Sequence, residues 1–446
     1  MALKTGFAML AGLALAISGA CGQTSPPSSP LDWPPPRAFP PEPQPPILMS
    51  ARELAAALAK GEAIPFDVRG AAPFAAGHLP GAAAAWSAGE ETSGRIPALL
   101  AARGISPGTA VIVYGDGDRE DVARFFQLLH GCGCCAAVRV LDGGLAAWRR
   151  QGGALETGPS RRAPSEEVAN CRDTVTVDSG WVEGVFAKPG FEILDLRDAR
   201  GWDRWETPPL FAAGHVPYSL PWDPRALLPA GDRWPGPEEV RRAIGGLGPR
   251  PGDPVEPQST FVLYGSDASD PRLGLGYLIL SLAGFDVRLF AAGWAGWTEA
   301  GARPVVRVVT ASEVATLLKQ ENPRLDHDEP PRGLALFDLR EGADFKIGHL
   351  PGAQSLPFDQ AAEMEKRIAA GWPGANRATL PLLFYCYGAD CVRSRKAAAM
   401  AAHLGFRSLL WFRGGILAWR EAGYPLFDAA VTSASPGSPA GSDARP

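Results

Sequence analysis

The sequence lacks two features that would indicate its partners directly: an excess of positive charge and a long apolar run. Its 446 residues contain 43 Lys and Arg against 48 Asp and Glu, a net charge of −5, so the charge pattern does not predict nucleic-acid binding. No run of about 20 apolar residues occurs, and we expect no membrane-spanning helix in the mature chain. The 44 prolines and 52 glycines predict many turns and linkers, and the length suits about three domains.

The same series of motifs occurs three times in the chain. The residue after the tyrosine of this series is a cysteine only in the third copy. In each copy an apolar run leads to Asp-x-Arg, then to a Gly-His-apolar-Pro turn, an apolar strand ending in tyrosine, and a Gly-containing turn before a tryptophan. These positions are Asp67, His78, Tyr114 and Trp148; Asp195, His215, Tyr264 and Trp297; and Asp338, His349, Tyr385 and Trp419. The residue after the tyrosine is Gly115, Gly265 or Cys386. The constant order of motifs indicates repeated domains, with an insertion in the second copy.

Short apolar runs alternate with helical stretches throughout the repeats. Ser50 and Thr310, each followed three residues later by glutamate, form capping boxes, and Asp178 can cap the corresponding helix of the second copy. Alternating strands and helices predict an α/β fold with largely parallel sheets.

These motifs resemble the rhodanese (sulfurtransferase) family, over roughly residues 48 to 428. The resemblance implies three rhodanese-like domains, each a mostly parallel sheet covered by helices on both faces. In that family the cysteine that opens the loop carries sulfur. The resemblance therefore implies that Cys386 is catalytic and that the first and second copies are silent.

The domain organisation follows from the repeats and from the composition between them. We predict a signal peptide at 1–20, a Pro-rich tether at 21–47, rhodanese-like domains at 48–157, 172–306 and 308–428, and a disordered tail at 429–446. The first two domains have no catalytic cysteine.

The N-terminus has the pattern of a targeting segment. Lys4 precedes an apolar stretch over 6–20 that is too short to span a bilayer, and small residues precede Cys21. This arrangement resembles the lipobox of bacterial lipoproteins, which implies lipidation of Cys21. We expect an exported protein on the periplasmic side of a bacterial membrane, held there by the lipid anchor. An ordinary secretory signal that contains a cysteine is the alternative.

The loop after the third tyrosine is the candidate active site. It lies at the carboxyl end of a parallel strand and leads into a helix, where ligands bind and an anion is stabilised. A thiolate at Cys386 is favoured there. Cys391 is close enough in sequence to act as a resolving thiol. The candidate anion- and substrate-binding residues are Tyr387, Gly388, Arg393 and Arg395, and the candidate pocket floor is Asp338 with Arg340.

This loop departs from the common family pattern, because six residues separate Cys386 from Arg393 and a second cysteine lies among them. It is similar to the loop of an exported rhodanese subgroup that has two cysteines. A structural disulfide between Cys386 and Cys391 stays open as an alternative, since export compartments are oxidising.

The function we expect is that of an exported sulfurtransferase that moves sulfane sulfur through a Cys386 persulfide. Its small donor would be thiosulfate or a mercaptopyruvate-like compound, its acceptor a thiol or cyanide, and it would need no cofactor. Two alternatives remain. One is a non-enzymatic tandem-rhodanese scaffold that binds a protein partner, and the other is a thiol–disulfide relay through Cys386 and Cys391.

Two other groups of residues contain side chains of the types that bind metals or transfer protons. His130, Cys132, Cys134 and Cys135 lie close together, and Cys171 follows in a linker. Here we predict buried thiols or a disulfide rather than a metal, and we expect no zinc at the Cys386 loop, because no second ligand pair follows at zinc spacing. The turn histidines recur in all three copies, which favours a role in holding the turn over proton transfer.

Overall fold

The computed structural model describes residues 46–85, 95–133, 135–168, 173–186, 188–197, 214–245, 259–299, 303–389 and 391–428. The predicted signal peptide, Cys21, most of the tether and the tail lie outside these ranges. Within them, no helix has the length and apolar character needed to cross a bilayer.

The described residues form fourteen strands and fourteen α-helices. The strands are β1 (Leu48–Met49), β2 (Ile64–Asp67), β3 (Ala83–Ala84), β4 (Ala110–Tyr114), β5 (Ala137–Leu141), β6 (Phe191–Asp195), β7 (Ser219–Pro221), β8 (Thr260–Tyr264), β9 (Asp286–Leu289), β10 (Val305–Val308), β11 (Ala335–Asp338), β12 (Gln354–Ser355), β13 (Leu382–Tyr385) and β14 (Ser408–Phe412). The helices are α1 (Ala51–Lys60), α2 (Ala71–Ala76), α3 (Ile96–Ala102), α4 (Arg119–Gly131), α5 (Gly144–Arg150), α6 (Ser179–Glu183), α7 (Pro237–Ile244), α8 (Pro271–Leu282), α9 (Gly293–Glu299), α10 (Ala311–Lys319), α11 (Gly342–Ile347), α12 (Met364–Gly371), α13 (Val392–His403) and α14 (Gly415–Glu421). Two 3₁₀ helices cover Pro224–Leu227 and Phe358–Glu363.

Three parallel sheets confirm the predicted α/β fold. The strand order is β1-β5-β4-β2-β3 in the first copy and β10-β14-β13-β11-β12 in the third, which is the same topology. The second copy has the order β7-β6-β8-β9, and a single parallel bridge between Thr176 and Leu289 stands where the others have an edge strand. In each sheet the strand that ends in the motif tyrosine lies inside the sheet, so the loop after it opens near the middle of the sheet edge.

Strand β8 shows how the three copies share their cores. Phe261 and Leu263 pack in an apolar cluster with residues of the first copy, whereas Val262 and Tyr264 pack in a cluster with residues of the third. Alternate side chains point to opposite faces, so a strand that is buried on both faces is a continuous apolar run. The second sheet therefore lies between the other two copies and contributes to both cores.

The helices begin where the sequence predicts. Ser50 and Thr310 each accept a hydrogen bond from the backbone N–H of the glutamate three residues on, and that glutamate bonds back to the cap residue. Asp178 caps α6 by accepting a hydrogen bond from the backbone N–H of Trp181. These contacts confirm the predicted caps and satisfy backbone donors that have no partner within the helix.

The helices that follow the three loops make different contacts. In the first and second copies α4 and α8 pack side by side, and a Cβ at Gly274 would lie 2.7 Å from Cα of Arg124, so this approach requires glycine. The third copy packs α13 against the second copy instead, and Nε2 of His403 lies 3.0 Å from the carbonyl oxygen of Phe186. The second copy thus contacts the loop-following helices of both neighbours.

Candidate active site

Cys386 lies directly after β13, and α13 begins a few residues later. Cys391 is the N-cap residue of α13, and the structure joins Cys386 and Cys391 in a disulfide with their Cα atoms 6.2 Å apart. Only 1% of Cys386 is exposed. Sequence reasoning expected a reactive thiolate here, and the structure shows the oxidised form, in which the sulfur is bonded and covered.

Tyr387 and Gly388 form the loop between the two cysteines. Tyr387 is 37% exposed, and its hydroxyl donates a hydrogen bond to the carboxylate of Asp344 in α11. Partial burial and this bond raise the pKa of Tyr387. Gly388 is buried, and its carbonyl accepts from the N–H of Cys391 at 3.0 Å. Both residues therefore lie beside the disulfide.

The two candidate arginines lie in different surroundings. Arg393 is partly exposed at the start of α13, and its guanidinium donates to Glu341 at 2.7 Å. Arg395 is only 2% exposed, and its guanidinium carbon lies 4.2 Å from the ring centroid of Tyr218 in the second copy. Arg393 therefore borders the loop, whereas Arg395, predicted as an anion-binding residue, faces the second copy instead of the loop.

Asp338 and Arg340 belong to a clamp beneath the loop. The Arg340 guanidinium donates to the two carboxylate oxygens of Asp338 at 3.0 and 2.7 Å and to the carbonyl of Gly348 at 2.6 Å. It also lies 5.8 Å from the ring centroid of Tyr387. The same clamp forms in the other copies between Asp67, Arg69 and Gly77 and between Asp195, Arg197 and Gly214. Its presence in copies without cysteine favours a role in holding the turn.

The turn histidines are buried and bonded through Nδ1 within their own turns, and Nε2 of His349 also lies 2.8 Å from a carboxylate oxygen of Asp328. Nδ1 of His349 lies 2.9 Å from the carbonyl oxygen of Phe345, and Nδ1 of His78 has the same contact with Phe74. Burial lowers the pKa of His215 to about 3, so its ring is neutral near pH 7. These contacts favour the structural interpretation of the histidines.

The loops of the first and second copies have no room for a side chain at the cysteine position. A Cβ at Gly115 would lie 2.9 Å from a methyl carbon of Val122. A Cβ at Gly265 would overlap the carboxylate of Asp270, whose Cβ is 2.6 Å away. In these two loops, neighbouring side chains of the same copy therefore occupy the space that a cysteine side chain would need.

A glycine in the closing turn contacts the first loop residue in all three copies. Gly415 has φ +57°, and a Cβ there would overlap the carbonyl of Cys386. The next residue, Ile416, donates its N–H to that carbonyl at 3.0 Å. Gly144 and Gly293 occupy the same place against Gly115 and Gly265. The motif glycine before the closing tryptophan thus lets α14 begin directly against the cysteine loop.

An apolar rim borders this loop, and sequence reasoning identified Tyr387 within it but missed Ile347 and Leu417. Of the large apolar side chains exposed among the described residues, three are Ile347, Tyr387 and Leu417. The Leu417 N–H donates to the Tyr387 carbonyl at 3.1 Å, and Ile347 lies in α11 one turn beyond Asp344. The first copy has Ala76, Asp116 and Ala146 at the equivalent positions. Comparing these positions between the copies would have revealed the rim, as well as the acids Glu341 and Asp344 just after the Asp-x-Arg motif.

The second cysteine cluster is described only in part. Cys134 and Cys171 lie outside the described residues. Cys132 is buried, and burial raises the pKa of the Cys135 thiol to about 12. In the described part of the chain, no group of three or more His, Cys, Asp or Glu side chains is placed to hold a metal ion.

Comparison with known proteins gives consistent matches. A family model described as the rhodanese-like domain matches residues 50–151 and 310–422, which lie in the first and third copies. The chain is 30% identical over 283 residues to a probable 3-mercaptopyruvate sulfurtransferase of Pseudomonas aeruginosa, covering 58% of this chain and 97% of that protein. It is 31% identical over 292 residues to the putative thiosulfate sulfurtransferase SseB of Mycobacterium tuberculosis, with the same coverage. Against the crystal structure of SseA from Escherichia coli the TM-score is 0.45 at 20% identity, covering 56% of this chain and 98% of that chain.

Proposed function

The chain belongs to the rhodanese-like sulfurtransferase family, and on that premise we propose that it moves sulfane sulfur through a persulfide on Cys386. One observation carries the proposal: Cys386 stands between the carboxyl end of β13 and the N-terminus of α13. Backbone N–H groups at a helix N-terminus stabilise a thiolate or a persulfide anion. The corresponding positions of the other two copies are glycines in filled loops.

The oxidised loop is the resting form in this proposal. A dithiol reductant reduces the Cys386–Cys391 disulfide and leaves as its own disulfide, so that two thiols are formed. The Cys386 thiolate then attacks the outer sulfur of thiosulfate and releases sulfite, or takes the sulfur of a mercaptopyruvate-like donor and releases pyruvate. Because the oxidised Cys386 is buried, we expect little activity before reduction.

The persulfide has two routes of discharge. A thiolate or cyanide acceptor removes the outer sulfur and returns the Cys386 thiolate. Alternatively the Cys391 thiolate attacks the inner sulfur, which forms the Cys386–Cys391 disulfide and expels hydrosulfide. The second route is favoured by one observation, since its product is the disulfide that the structure contains. It would make the protein a thiol relay that needs a reductant in every cycle.

A transfer assay with and without prior reduction tests this function. The full chain is treated with a dithiol, freed of it, and offered thiosulfate and 3-mercaptopyruvate in turn, with cyanide or a monothiol as acceptor. With thiosulfate and cyanide, neither of which is a thiol, reduced protein should transfer sulfur and untreated protein should not. Cys391→Ser should transfer sulfur without reduction, because it cannot form the disulfide. Equal inactivity of the reduced wild-type chain and of Cys391→Ser with every donor would overturn the proposal.

We also propose that the protein is exported and lipid-anchored. The support is the sequence pattern of Lys4, the apolar stretch at 6–20 and the cysteine at position 21. Expression of the full chain in a bacterium with labelled palmitate should place label and protein in the membrane fraction. Cys21→Ser should lose the label, and a labelled Cys21→Ser chain would contradict the assignment.

A further inference from the structure

We propose that Tyr218 and Glu192 of the second copy position the Cys386 loop by holding Arg395 of α13. These are positioning residues, since they act through α13 rather than by touching the donor. The inference rests on the proposed function for the reaction that it affects. It assigns the silent second copy a defined part in that reaction.

The backbone of Tyr218 is the first observation. Its φ is +69°, in the left-handed region, and 3% of the residue is exposed. The equivalent turn residues of the other copies are Gly81, with φ +66°, and Gly352, with φ +73°. A bulky residue rarely adopts this conformation, and it persists only where its surroundings hold it. The second copy therefore carries a strained tyrosine where the same turn elsewhere uses glycine.

The contacts of the tyrosine explain what holds it. Its ring centroid lies 4.2 Å from the guanidinium carbon of Arg395, and its carbonyl accepts from Nη1 of Arg395 at 3.4 Å. Stacking over an aromatic face stabilises a guanidinium, most strongly where water is excluded. The glycine found in the other copies could not make this contact.

Glu192 completes the cluster from β6. Its carboxylate lies 3.8 Å from Nη2 of Arg395, and the two residues are 7% and 2% exposed. A buried guanidinium requires a nearby counter-charge. Within the described part of the chain, Nε of Arg395 makes no hydrogen bond. The ring and the carboxylate of the second copy are thus the main groups that orient this side chain.

Arg395 connects this cluster to the loop. It lies one helical turn after Cys391, the N-cap residue of α13. The other end of α13 also rests on the second copy, where the ring centroids of His403 and Phe186 are 5.5 Å apart. The second copy therefore holds the helix at both ends. A shift of the first turn would move the N–H groups that stabilise the Cys386 thiolate.

Alkylation of reduced Cys386 tests the inference without relying on sulfur transfer. The rate of reaction with iodoacetamide is measured in the reduced full chain by mass spectrometry of the Cys386 peptide. Tyr218→Gly removes the ring and gives the turn its ordinary residue, so the backbone is not strained. We expect alkylation and kcat to fall by about threefold to tenfold. The KM for the donor should change by less than about twofold, because neither Tyr218 nor Arg395 contacts it.

Two matched variants separate positioning from stability. Tyr218→Phe keeps the ring over the guanidinium and should restore the alkylation rate to within about twofold of wild type. Val240→Ala creates a cavity in α7, in the core shared with the first copy, and should lower the melting temperature without slowing alkylation. A Tyr218→Gly rate equal to wild type, or slowed no more than that of Val240→Ala, would overturn the inference. Because alkylation needs no donor, failure of the proposed function would leave this test intact.

Discussion

The loops of the second and third copies have the same length but hold different groups at the helix start. Five residues after Gly265 comes Asp270, and five residues after Cys386 comes Cys391; each is the N-cap residue of its helix. The Asp270 carboxylate accepts from the N–H of Ser266 at 3.2 Å and pairs with Arg272 at 2.7 Å. Against the effect of burial, these hydrogen bonds lower the pKa of Asp270.

This comparison shows two different sets of residues at equivalent helix N-termini. A helix N-terminus favours negative charge whatever group supplies it. The second copy fills the position permanently with its own carboxylate, and its arginine is bound to that carboxylate. The third copy places two cysteines there, and Arg393 pairs instead with Glu341 at the edge of the loop. In the proposed function, the third copy is the one whose group at this position, the Cys386 sulfur, is exchanged.

The largest expected effect comes from making the third loop resemble the others at its first residue. Cys386→Ser should form no persulfide and should lose more than about 10³-fold in sulfur transfer, because the serine hydroxyl is not a thiolate at neutral pH. A donor assay on the full chain measures this. Retention of transfer by Cys386→Ser would place the reactive group elsewhere.

A matched pair of glycine substitutions separates loop geometry from stability. Gly415→Ala and Gly293→Ala each force a side chain into a left-handed backbone and against the first loop residue. Urea unfolding should show a loss of roughly 1–3 kcal/mol in both variants. Only Gly415→Ala should also lower kcat, since Gly293 contacts the loop of the second copy, which has glycine in place of the cysteine. An equal fall in kcat for both variants would count against this assignment.

Placing a cysteine in the second loop should not create a second active site. In Gly265→Cys the new side chain overlaps the Asp270 carboxylate. We expect a loss of about 1–3 kcal/mol in the free energy of unfolding from this overpacking. Mass spectrometry after donor treatment should find no sulfur on the new cysteine. A persulfide there would show that the carboxylate does not block the position.

The smallest effect concerns the charge of Asp270 itself. Asp270→Asn should lower the free energy of unfolding at pH 7 by about 1 kcal/mol, as for a helix cap that also carries charge. Since the folded-state pKa of Asp270 is lowered, its stabilisation is present above the unfolded-state pKa, near 4, and is lost as the pH falls through the folded-state value. The difference between wild type and Asp270→Asn should therefore shrink in acid. If the difference in free energy of unfolding stays constant from pH 7 to pH 3, the stabilisation does not come from the charge of Asp270.

Much of the fold could be predicted from the sequence because each repeat contains residues that mark the ends of its strands and helices. Apolar runs such as Val262–Leu263 are buried on both faces, and turn residues and helix caps mark where each element ends. The order of these signals specifies parallel strands joined by helices. The cysteine at the end of β13 could be located in the same way, since its position is counted from the tyrosine.

The direction of Arg395 could not be predicted from local pattern. Arg393 and Arg395 both lie in the first turns of α13, and spacing alone suits either of them to an anion. Which one faces the loop depends on how α13 packs against the second copy, and the partners of Arg395 are distant in the chain. Nothing in the local sequence predicts the strained backbone of Tyr218, except that this position is not the glycine found in the other copies. Comparing Tyr218 with Gly81 and Gly352 would have been the only clue.

Locating the transferred sulfur by mass spectrometry tests the central claim most directly. The full-length Cys391→Ser chain, in which the second cysteine cannot discharge the persulfide, is reduced, treated with 3-mercaptopyruvate or thiosulfate, blocked with an alkylating reagent and digested. The account predicts one additional sulfur on the peptide that contains Cys386, and none on the peptide that contains Cys135. Recovery of the Cys386 peptide without added sulfur, after confirmed reduction and with both donors, would contradict it.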